Sequence, residues 1–204
     1  MKLKLFSVFM LVMTVSFAQT ITIAEARATA EGQTVTTAGI VTTINFASSN
    51  SSEYVIQDST GGIVIYKYGI DYNLLSGDLV EVTGEIDDYS GKLEVIPVDS
   101  ADVTVVSSGN DLPAYQPVTV TGLLANGESL ESELVEIYNV KIVGGDDWPD
   151  ENNNADITIS DDDSANTVTF RIDRQTDLDG GTAPTGTFDI RGVVGEYNAY
   201  QIQP

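Results

Sequence analysis

Short runs in which apolar and polar residues alternate make up most of this chain. Along residues 79–84 (LVEVTG), the apolar Val80 and Val82 alternate with the polar Glu81 and Thr83. Because successive side chains of a strand point to opposite faces, this pattern predicts a half-buried β-strand with both valines inward. Clusters of Gly, Asn, Asp and Ser separate the runs, as expected of turns, and few stretches have a helical period.

The alternating runs form two sets of five predicted strands. The first set comprises residues 34–44, 54–57, 63–66, 79–86 and 92–97, and the second comprises residues 134–143, 156–160, 167–172, 188–194 and 199–204. Short motifs recur between the sets: YVIQD at 54–58 matches ITISD at 157–161, and VEVTG at 80–84 matches FDIRG at 188–192. The offset grows from 103 to 108 residues, which indicates an internal duplication whose second copy has longer loops.

The spacing of the five strands in each set is typical of an OB-fold, a five-stranded Greek-key barrel. The Gly61-Gly62 pair before the third strand is a hairpin signal. A short helix is predicted before each barrel, at residues 23–29 and 120–125. The sequence therefore predicts an all-β protein with two tandem OB-like barrels, and a single β-sandwich is the alternative architecture.

The predicted domains follow from these strands and from the N-terminus. Lys2 and Lys4 precede an apolar stretch at 5–15, and residues 16–18 (SFA) place small residues where signal peptidase cleaves. The apolar stretch is shorter than a membrane-spanning helix requires. We therefore expect a secreted, extracellular or periplasmic chain without a membrane span after cleavage. Its predicted parts are a signal peptide at 1–18, a first barrel at 19–106, a linker at 107–117 and a second barrel at 118–204.

Composition excludes several kinds of chemistry. The 204 residues include 31 acidic and 9 basic side chains, for a formal charge of −22. No Cys and no His are present, which excludes disulfides, thiolate metal sites, Cys nucleophiles and His-dependent catalytic triads. The acidic balance disfavours simple electrostatic capture of nucleic acid, because phosphate binding needs a cationic surface.

Three stretches of the first copy resemble a known group of domains. They are residues 22–27 (TIAEAR), 37–41 (TAGIV) and 54–63 (YVIQDSTGGI). In these stretches the chain is similar to OB-like domains of secreted bacterial proteins, which commonly stand in tandem beside extracellular endonuclease, lamin-tail or surface-sorting domains. The resemblance covers residues 22–97 well and 120–204 more weakly. It implies an OB-fold beside another functional domain, and it implies no catalytic residues.

Aromatic and basic residues occur in both copies where OB-folds bind ligands, which is across the second and third strands and at the loops after the first and fourth strands. Aromatic rings stack on nucleobases or on sugar rings. The alternative is that these rings cover the barrel ends, while the cations neutralise neighbouring carboxylates. The predicted ligand-binding residues are Phe46, Tyr66, Tyr89, Lys92, Trp148, Arg171 and Tyr197.

The longer loops of the second copy concentrate acidic residues. Carboxylate oxygens are the ligands that Ca²⁺ prefers, and a weak site would still fill outside the cell. These loops do not follow the EF-hand pattern, and a solvated acidic surface is the alternative. The predicted Ca²⁺ ligands are Asp146, Asp147, Asp150, Asp161, Asp163, Asp177 and Asp179.

Together these features predict a secreted, non-enzymatic module that presents or steers a neighbouring catalytic or surface-sorting domain or partner. Two alternative functions stay open: binding of single-stranded nucleic acid within a secreted nuclease system, and binding of a glycan. An enzyme is not expected, because the acidic residues lie in loops and at outward strand positions, with no apolar cleft implied. Ca²⁺ is the one cofactor that the sequence suggests.

Overall fold

The first half of the chain folds as a short helix followed by five strands that close into a barrel. The computed structural model describes residues 19–48, 50–163 and 165–204, and the predicted signal peptide lies outside these ranges. The elements of the first barrel are α1 (Ile23–Arg27), β1 (Thr34–Val41), β2 (Ser52–Gln57), β3 (Gly62–Lys67), β4 (Leu79–Tyr89) and β5 (Lys92–Ile96). They lie within a few residues of the elements predicted from the sequence.

The strand order of the first barrel is that of an OB-fold. The order is β1-β2-β3-β5-β4, and β1 also pairs with β4 to close the ring. Neighbouring strands are antiparallel except β3 and β5, which pair in parallel. Val80 and Val82 are fully buried in the barrel and Glu81 is exposed, as the alternating pattern predicted.

Two further strands follow the first barrel, one where the predicted first domain ends and one at the end of the predicted linker. A 3₁₀ turn (Ser100–Asp102) leads into β6 (Val103–Ser107), which pairs with the first half of β4. Because β5 pairs only with the second half of β4, β6 fills an edge that β5 leaves open. A two-residue strand, β7 (Gln116–Pro117), then pairs in parallel with the next barrel. The predicted linker at 107–117 thus begins and ends in sheet contacts.

The second half of the chain repeats the connectivity of the first. Its elements are α2 (Val120–Leu130), β8 (Leu134–Ile142), β9 (Ala155–Ser160), β10 (Val168–Ile172), β11 (Phe188–Glu196) and β12 (Tyr200–Gln203). The order is β8-β9-β10-β12-β11, with β8 paired to β11 and with β10 parallel to β12. The chain is therefore an all-β protein of two OB-like barrels, and the alternative of a single β-sandwich is wrong.

Each helix begins beside the aspartate that ends the recurring motif of its own barrel. Asp58 ends YVIQD and accepts a hydrogen bond from the Ile23 amide at 3.0 Å, and Asp161 ends ITISD and accepts one from the Val120 amide at 3.0 Å. A carboxylate at this place accepts a hydrogen bond from a free amide at the start of the helix, and its negative charge interacts favourably with the helix dipole. The two matched aspartates therefore hold the two helices in equivalent positions.

The second helix is longer than predicted. It runs to Leu130 instead of residue 125, with a kink at Asn126. Asn126, Gly127 and Ser129 have low helix propensity, so the local sequence does not indicate this last turn. No helix in the described ranges is long and apolar enough to cross a membrane.

Three clusters of buried apolar side chains hold the molecule together. One lies inside each barrel, built from inward strand positions and from the buried face of the helix. The third lies between the barrels, where Phe46, Val55 and Val64 contact Val193 of the second barrel, with Tyr66 packed at the side. Burial of each such side chain contributes about 1.5–3 kcal/mol, so this small core joins the barrels.

Candidate binding groove

The usual ligand face of an OB barrel, the outer side of β2 and β3, is covered in the first barrel. Val55 and Val64 lie on this face and are buried against Val193 of the second barrel. Gly62, at the start of β3, touches the backbone of Ser132 so closely that a side chain would not fit. A ligand therefore has no access to the centre of this face.

A buried ion pair joins the two helices across the interface. The Arg27 guanidinium lies 2.7 Å from Glu131 Oε2 and 3.0 Å from Glu128 Oε1. Glu131 is 1 % exposed, and its other oxygen accepts a hydrogen bond from the Leu93 amide at 2.9 Å. Burial raises the pKa of Glu131, and Arg27 opposes this rise. These bonds fix α1, α2 and β5 relative to one another.

The β4–β5 and β11–β12 hairpins of the two barrels meet at their tips. The Asn198 amide donates to the Ser90 carbonyl at 2.8 Å. Beside this bond, the ring centroids of Tyr89 and Tyr197 lie 6.0 Å apart. The two rings are 53 % and 58 % exposed. The junction of the barrels thus presents a pair of aromatic rings to solvent.

A groove of about 990 Å³ runs along the outer face of β3, β5 and β4; we call it the first-barrel groove. Tyr66 and Tyr68 line it at the end of β3, and Tyr89 lines it at the end of β4. Lys67, which lies between the two tyrosines in sequence, also lines the groove and makes no ion pair within the described residues. The carboxylates that line the groove are Glu31, Glu53, Glu85, Asp87 and Glu94.

Lys92 neutralises two of these carboxylates. Its ammonium lies 2.6 Å from Glu53 Oε1, 3.1 Å from Glu94 Oε1 and 5.8 Å from the ring centroid of Tyr89. Burial lowers the pKa of Lys92, but the attraction of Glu53 and Glu94 outweighs burial and leaves this pKa above its usual value. Burial also raises the pKa of Glu94, against the opposing effect of Lys92. Lys92 is therefore charged but already engaged.

A second cavity of about 310 Å³, the inter-barrel cleft, shares Glu53 and Lys92 with the first-barrel groove. Its other lining residues are Phe46, Asp156, Arg171, Asp173, Glu196, Tyr197, Gln201 and Gln203. Arg171 is paired with Asp156 at 2.9 Å, whereas the side-chain amides of Gln201 and Gln203 bind no described residue. Because they share these two lining residues, the cavities are adjacent, and together they span both barrels; we call the pair the connected groove. Ligand cavities generally measure about 300–1,000 Å³, so both are of suitable size.

The structure brings six of the seven predicted ligand-binding residues to the connected groove. Tyr66 and Tyr89 line its first part, Phe46, Arg171 and Tyr197 line its second part, and Lys92 lines both. Phe46 is nearly buried, at 7 % exposure, and so offers little of its ring.

Trp148 lies apart from the connected groove. It packs 6.4 Å from Phe170 between ring centroids, and its indole N–H donates to the Leu178 carbonyl at 2.9 Å. Trp148 belongs to the partly buried shell around the second core. Its position matches the alternative that an aromatic ring covers a barrel end.

Most cationic side chains are neutralised within the molecule. Of the seven in the described residues, only Lys67 and Arg174 form no ion pair there; the five that do are Arg27, Lys92, Lys141, Arg171 and Arg191. The connected groove therefore offers little attraction for phosphate. What it offers to a ligand is aromatic faces, carboxylate acceptors and free amide groups.

The predicted calcium ligands lie dispersed in the structure. Asp146 accepts a hydrogen bond from a backbone amide, as Asp161 does at the start of α2, and Asp163 pairs with Lys141 at 2.6 Å. Asp179 also accepts a backbone hydrogen bond, Asp177 lines a third cavity, and Asp147 and Asp150 are exposed. Among the described residues, three carboxylates converge within 4.8 Å only at the barrel interface, at Glu128, Glu131 and Glu196. Calcium binding by the predicted loops stays a prediction.

No pattern in the sequence indicated the residues that join the barrels. Arg27 and Glu131 are 104 positions apart, and no local pattern connects them. The sequence did contain a pattern for Gln201 and Gln203: they are two positions apart in the last strand, which places both side-chain amides on one face of the sheet.

The chain thus consists of two OB-like barrels with a connected groove on their outer surface. No protein-family model matches the chain. The chain is similar to the endonuclease YhcR of Bacillus subtilis (strain 168), at 29 % identity over 191 residues. This alignment covers 91 % of the chain but 15 % of the endonuclease, so the chain spans a small part of that relative. The match agrees with the resemblance to OB-like domains that stand beside endonucleases.

Solved structures with some likeness to the chain include small and large proteins. The hypothetical protein ygiW from E. coli is 21 % identical over 46 % of this chain and 100 % of its own, with a TM-score of 0.35. Asparaginyl-tRNA synthetase from Pyrococcus horikoshii is 19 % identical over 48 % of this chain and 25 % of its own, with a TM-score of 0.38. The assignment of OB-like barrels rests on the strand order described above.

Proposed function

We propose that the chain is a non-catalytic module that binds single-stranded nucleic acid for a nuclease activity located elsewhere, outside the cytoplasm. The observation that carries this proposal is the alignment of both barrels to a segment that makes up 15 % of an endonuclease. This chain has no Cys nucleophile and no His to transfer protons, which supports a role in holding a substrate rather than in cleaving it. The proposal joins the predicted accessory role to one of the two predicted ligands.

The rings of the first-barrel groove support this ligand. Tyr66, Tyr68 and Tyr89 line one groove, and Tyr68 is 81 % exposed. Stacking of a base on an aromatic ring is tolerant of sequence, because every base has a π-face. Lys67 lines the same groove, forms no ion pair in the described residues, and so is available to a phosphate.

A glycan is the second candidate ligand, and the carboxylates of the groove favour it. Five carboxylates line the first-barrel groove against two lysines. Carboxylates accept hydrogen bonds from sugar hydroxyls and do not repel a neutral glycan, as they repel phosphate. Aromatic rings also pack on the apolar faces of sugars.

The test measures the binding of fluorescein-labelled single-stranded DNA of about 12 nucleotides, within the usual site size of OB-folds, by fluorescence anisotropy. Tyr68→Ala and Tyr89→Ala each remove a ring from the groove. Loss of one stacked base costs about 1–3 kcal/mol, so each variant is expected to bind about 5- to 150-fold more weakly.

Tyr138→Ala is the matched control, because Tyr138 is 47 % exposed and lies outside the connected groove. It is expected to bind DNA like the wild-type chain. If the wild-type chain shows no saturable binding of DNA, the proposal is wrong. Saturable binding of a soluble polysaccharide, weakened by Tyr68→Ala, would then support the glycan.

A further inference from the structure

The acidity of the inter-barrel cleft restricts how a strand of nucleic acid lies in it. Both cations of the cleft, Lys92 and Arg171, are already paired with carboxylates. A phosphate placed there would meet an excess of negative charge in a partly enclosed site, where repulsion is stronger than in bulk water. The carboxylates of the cleft are Glu53, Asp156, Asp173 and Glu196.

The same carboxylates are well suited to the edges of some bases. An ionised carboxylate only accepts hydrogen bonds, and the exocyclic amino group of cytosine donates one to it. Uracil and thymine carry the acceptor O4 where cytosine carries its amino group, so a carboxylate repels them at this position. The free amides of Gln201 and Gln203 both donate and accept, and so bind the rest of a base edge.

The two adjacent cavities each contribute an aromatic ring, and the two rings lie close to each other. Tyr89 lines the first-barrel groove and Tyr197 lines the inter-barrel cleft, and their ring centroids are 6.0 Å apart. The paired Glu53 and Lys92 belong to the walls of both cavities. A base stacked on one ring therefore has its neighbour within reach of the other ring. The volume of the cleft, about 310 Å³, is at the lower end for ligand sites and suits a single base.

We infer that one strand crosses both barrels with its bases inward and its phosphates toward solvent, and that the inter-barrel cleft takes a base bearing an exocyclic amino group. This inference rests on the proposed function. It adds a second subsite, formed by Asp156, Gln201 and Gln203 of the second barrel together with Glu53 of the first. It also adds a base preference that follows from the charge of the cleft.

The test compares labelled oligo(dC) and oligo(dU) of about 12 nucleotides, two strands whose bases differ only around the amino or carbonyl group. The wild-type chain is expected to bind oligo(dC) at least about fivefold more tightly, the low end for one base-edge contact. The double variant Glu53→Gln/Asp156→Asn replaces carboxylates, which only accept hydrogen bonds, by amides, which also donate them. Because an amide can donate to O4 of uracil, this variant should lose the preference for oligo(dC). The slope of log K against log salt should be shallower than about −2, because fewer than about three phosphates are neutralised.

The control is Asp111→Asn/Glu151→Gln, which changes the charge equally at exposed positions outside the connected groove. It should keep the preference for oligo(dC), and thermal unfolding verifies that both double variants are folded. Equal binding of the two oligonucleotides, a preference that survives Glu53→Gln/Asp156→Asn, or a steep salt slope would overturn the inference and leave the proposed function standing. Binding of neither oligonucleotide would overturn both.

Discussion

Gly62 has two functions that the sequence does not distinguish. It completes the Gly-Gly turn that the sequence indicated as a hairpin, and β2 and β3 are indeed joined there. It also lies against the backbone of Ser132, which belongs to the other barrel. The turn could be predicted because its signal is local. The close approach could not, since it depends on a residue 70 positions away.

Replacing each glycine of this pair separates the two functions. At Gly62 an added Cβ would overlap Ser132, whereas at Gly61 the nearest atom would be 3.7 Å away, an ordinary contact. Gly62→Ala is therefore expected to destabilise the chain by about 1–3 kcal/mol, the usual cost of overpacking. Gly61→Ala should change the free energy of unfolding much less. Equilibrium urea denaturation measures both values, and equal effects of the two variants would contradict this account.

At the scale of elements, the strands were predicted well and the helix contacts were not. Strand positions follow from alternation along the chain, which the core of each barrel enforces. α1 has five residues, and an isolated helix of that length is not stable in water. It is held by the capping box of Thr22 and Glu25, by Asp58 and by the ion pair of Arg27 with α2. Except for the capping box, these contacts join residues far apart in sequence.

The Arg27 ion pair predicts a large difference between two substitutions. Arg27→Gln leaves Glu131 buried without its cation, and breaking a buried pair in this way costs about 3–5 kcal/mol. Glu128→Gln removes the other partner, whose side chain is 71 % exposed, and should cost less than about 1 kcal/mol. Urea denaturation of the two variants tests this order. A similar small loss in both would show that Glu131 does not depend on Arg27.

At the scale of the whole molecule, charge and burial act together. The net charge of −22 opposes a compact state through repulsion. Burial raises the pKa of four carboxyl groups, so the folded chain holds protons more firmly there than the unfolded chain; they are Glu94, Glu131, Asp173 and Glu196. Hydrogen bonds lower the pKa of four others, namely Glu25, Glu136, Asp146 and Asp162.

These opposite shifts predict a maximum of stability in mild acid. A raised carboxyl pKa makes the folded state bind more protons, so the free energy of unfolding increases as the pH falls from neutral toward the ordinary value of 4.5. A lowered pKa has the reverse effect, because the folded state then binds fewer protons than the unfolded state. Stability is therefore lost as the pH falls below the ordinary pKa values of 3.8 for Asp and 4.5 for Glu. Thermal unfolding from about pH 3 to 8 at constant ionic strength tests this, with a maximum expected at about pH 4–5.

High salt provides the control for this pH dependence. Surface repulsion is screened by salt, whereas the effect of burial on buried groups is screened much less. The increase in Tm between neutral pH and mild acid should therefore become smaller in concentrated salt but persist. A Tm that rises from mild acid to neutral pH would contradict the assigned pKa directions.

The contacts between the barrels have a consequence for the entropy of binding. The apolar cluster around Val193, the Arg27–Glu131 pair and the meeting hairpin tips fix the two halves at three separate places. Two barrels on a flexible tether would lose freedom of relative rotation whenever one ligand bridged them. Here that freedom is already lost when the chain folds, so a bridging ligand meets a preorganised surface and more of its contact energy appears as affinity.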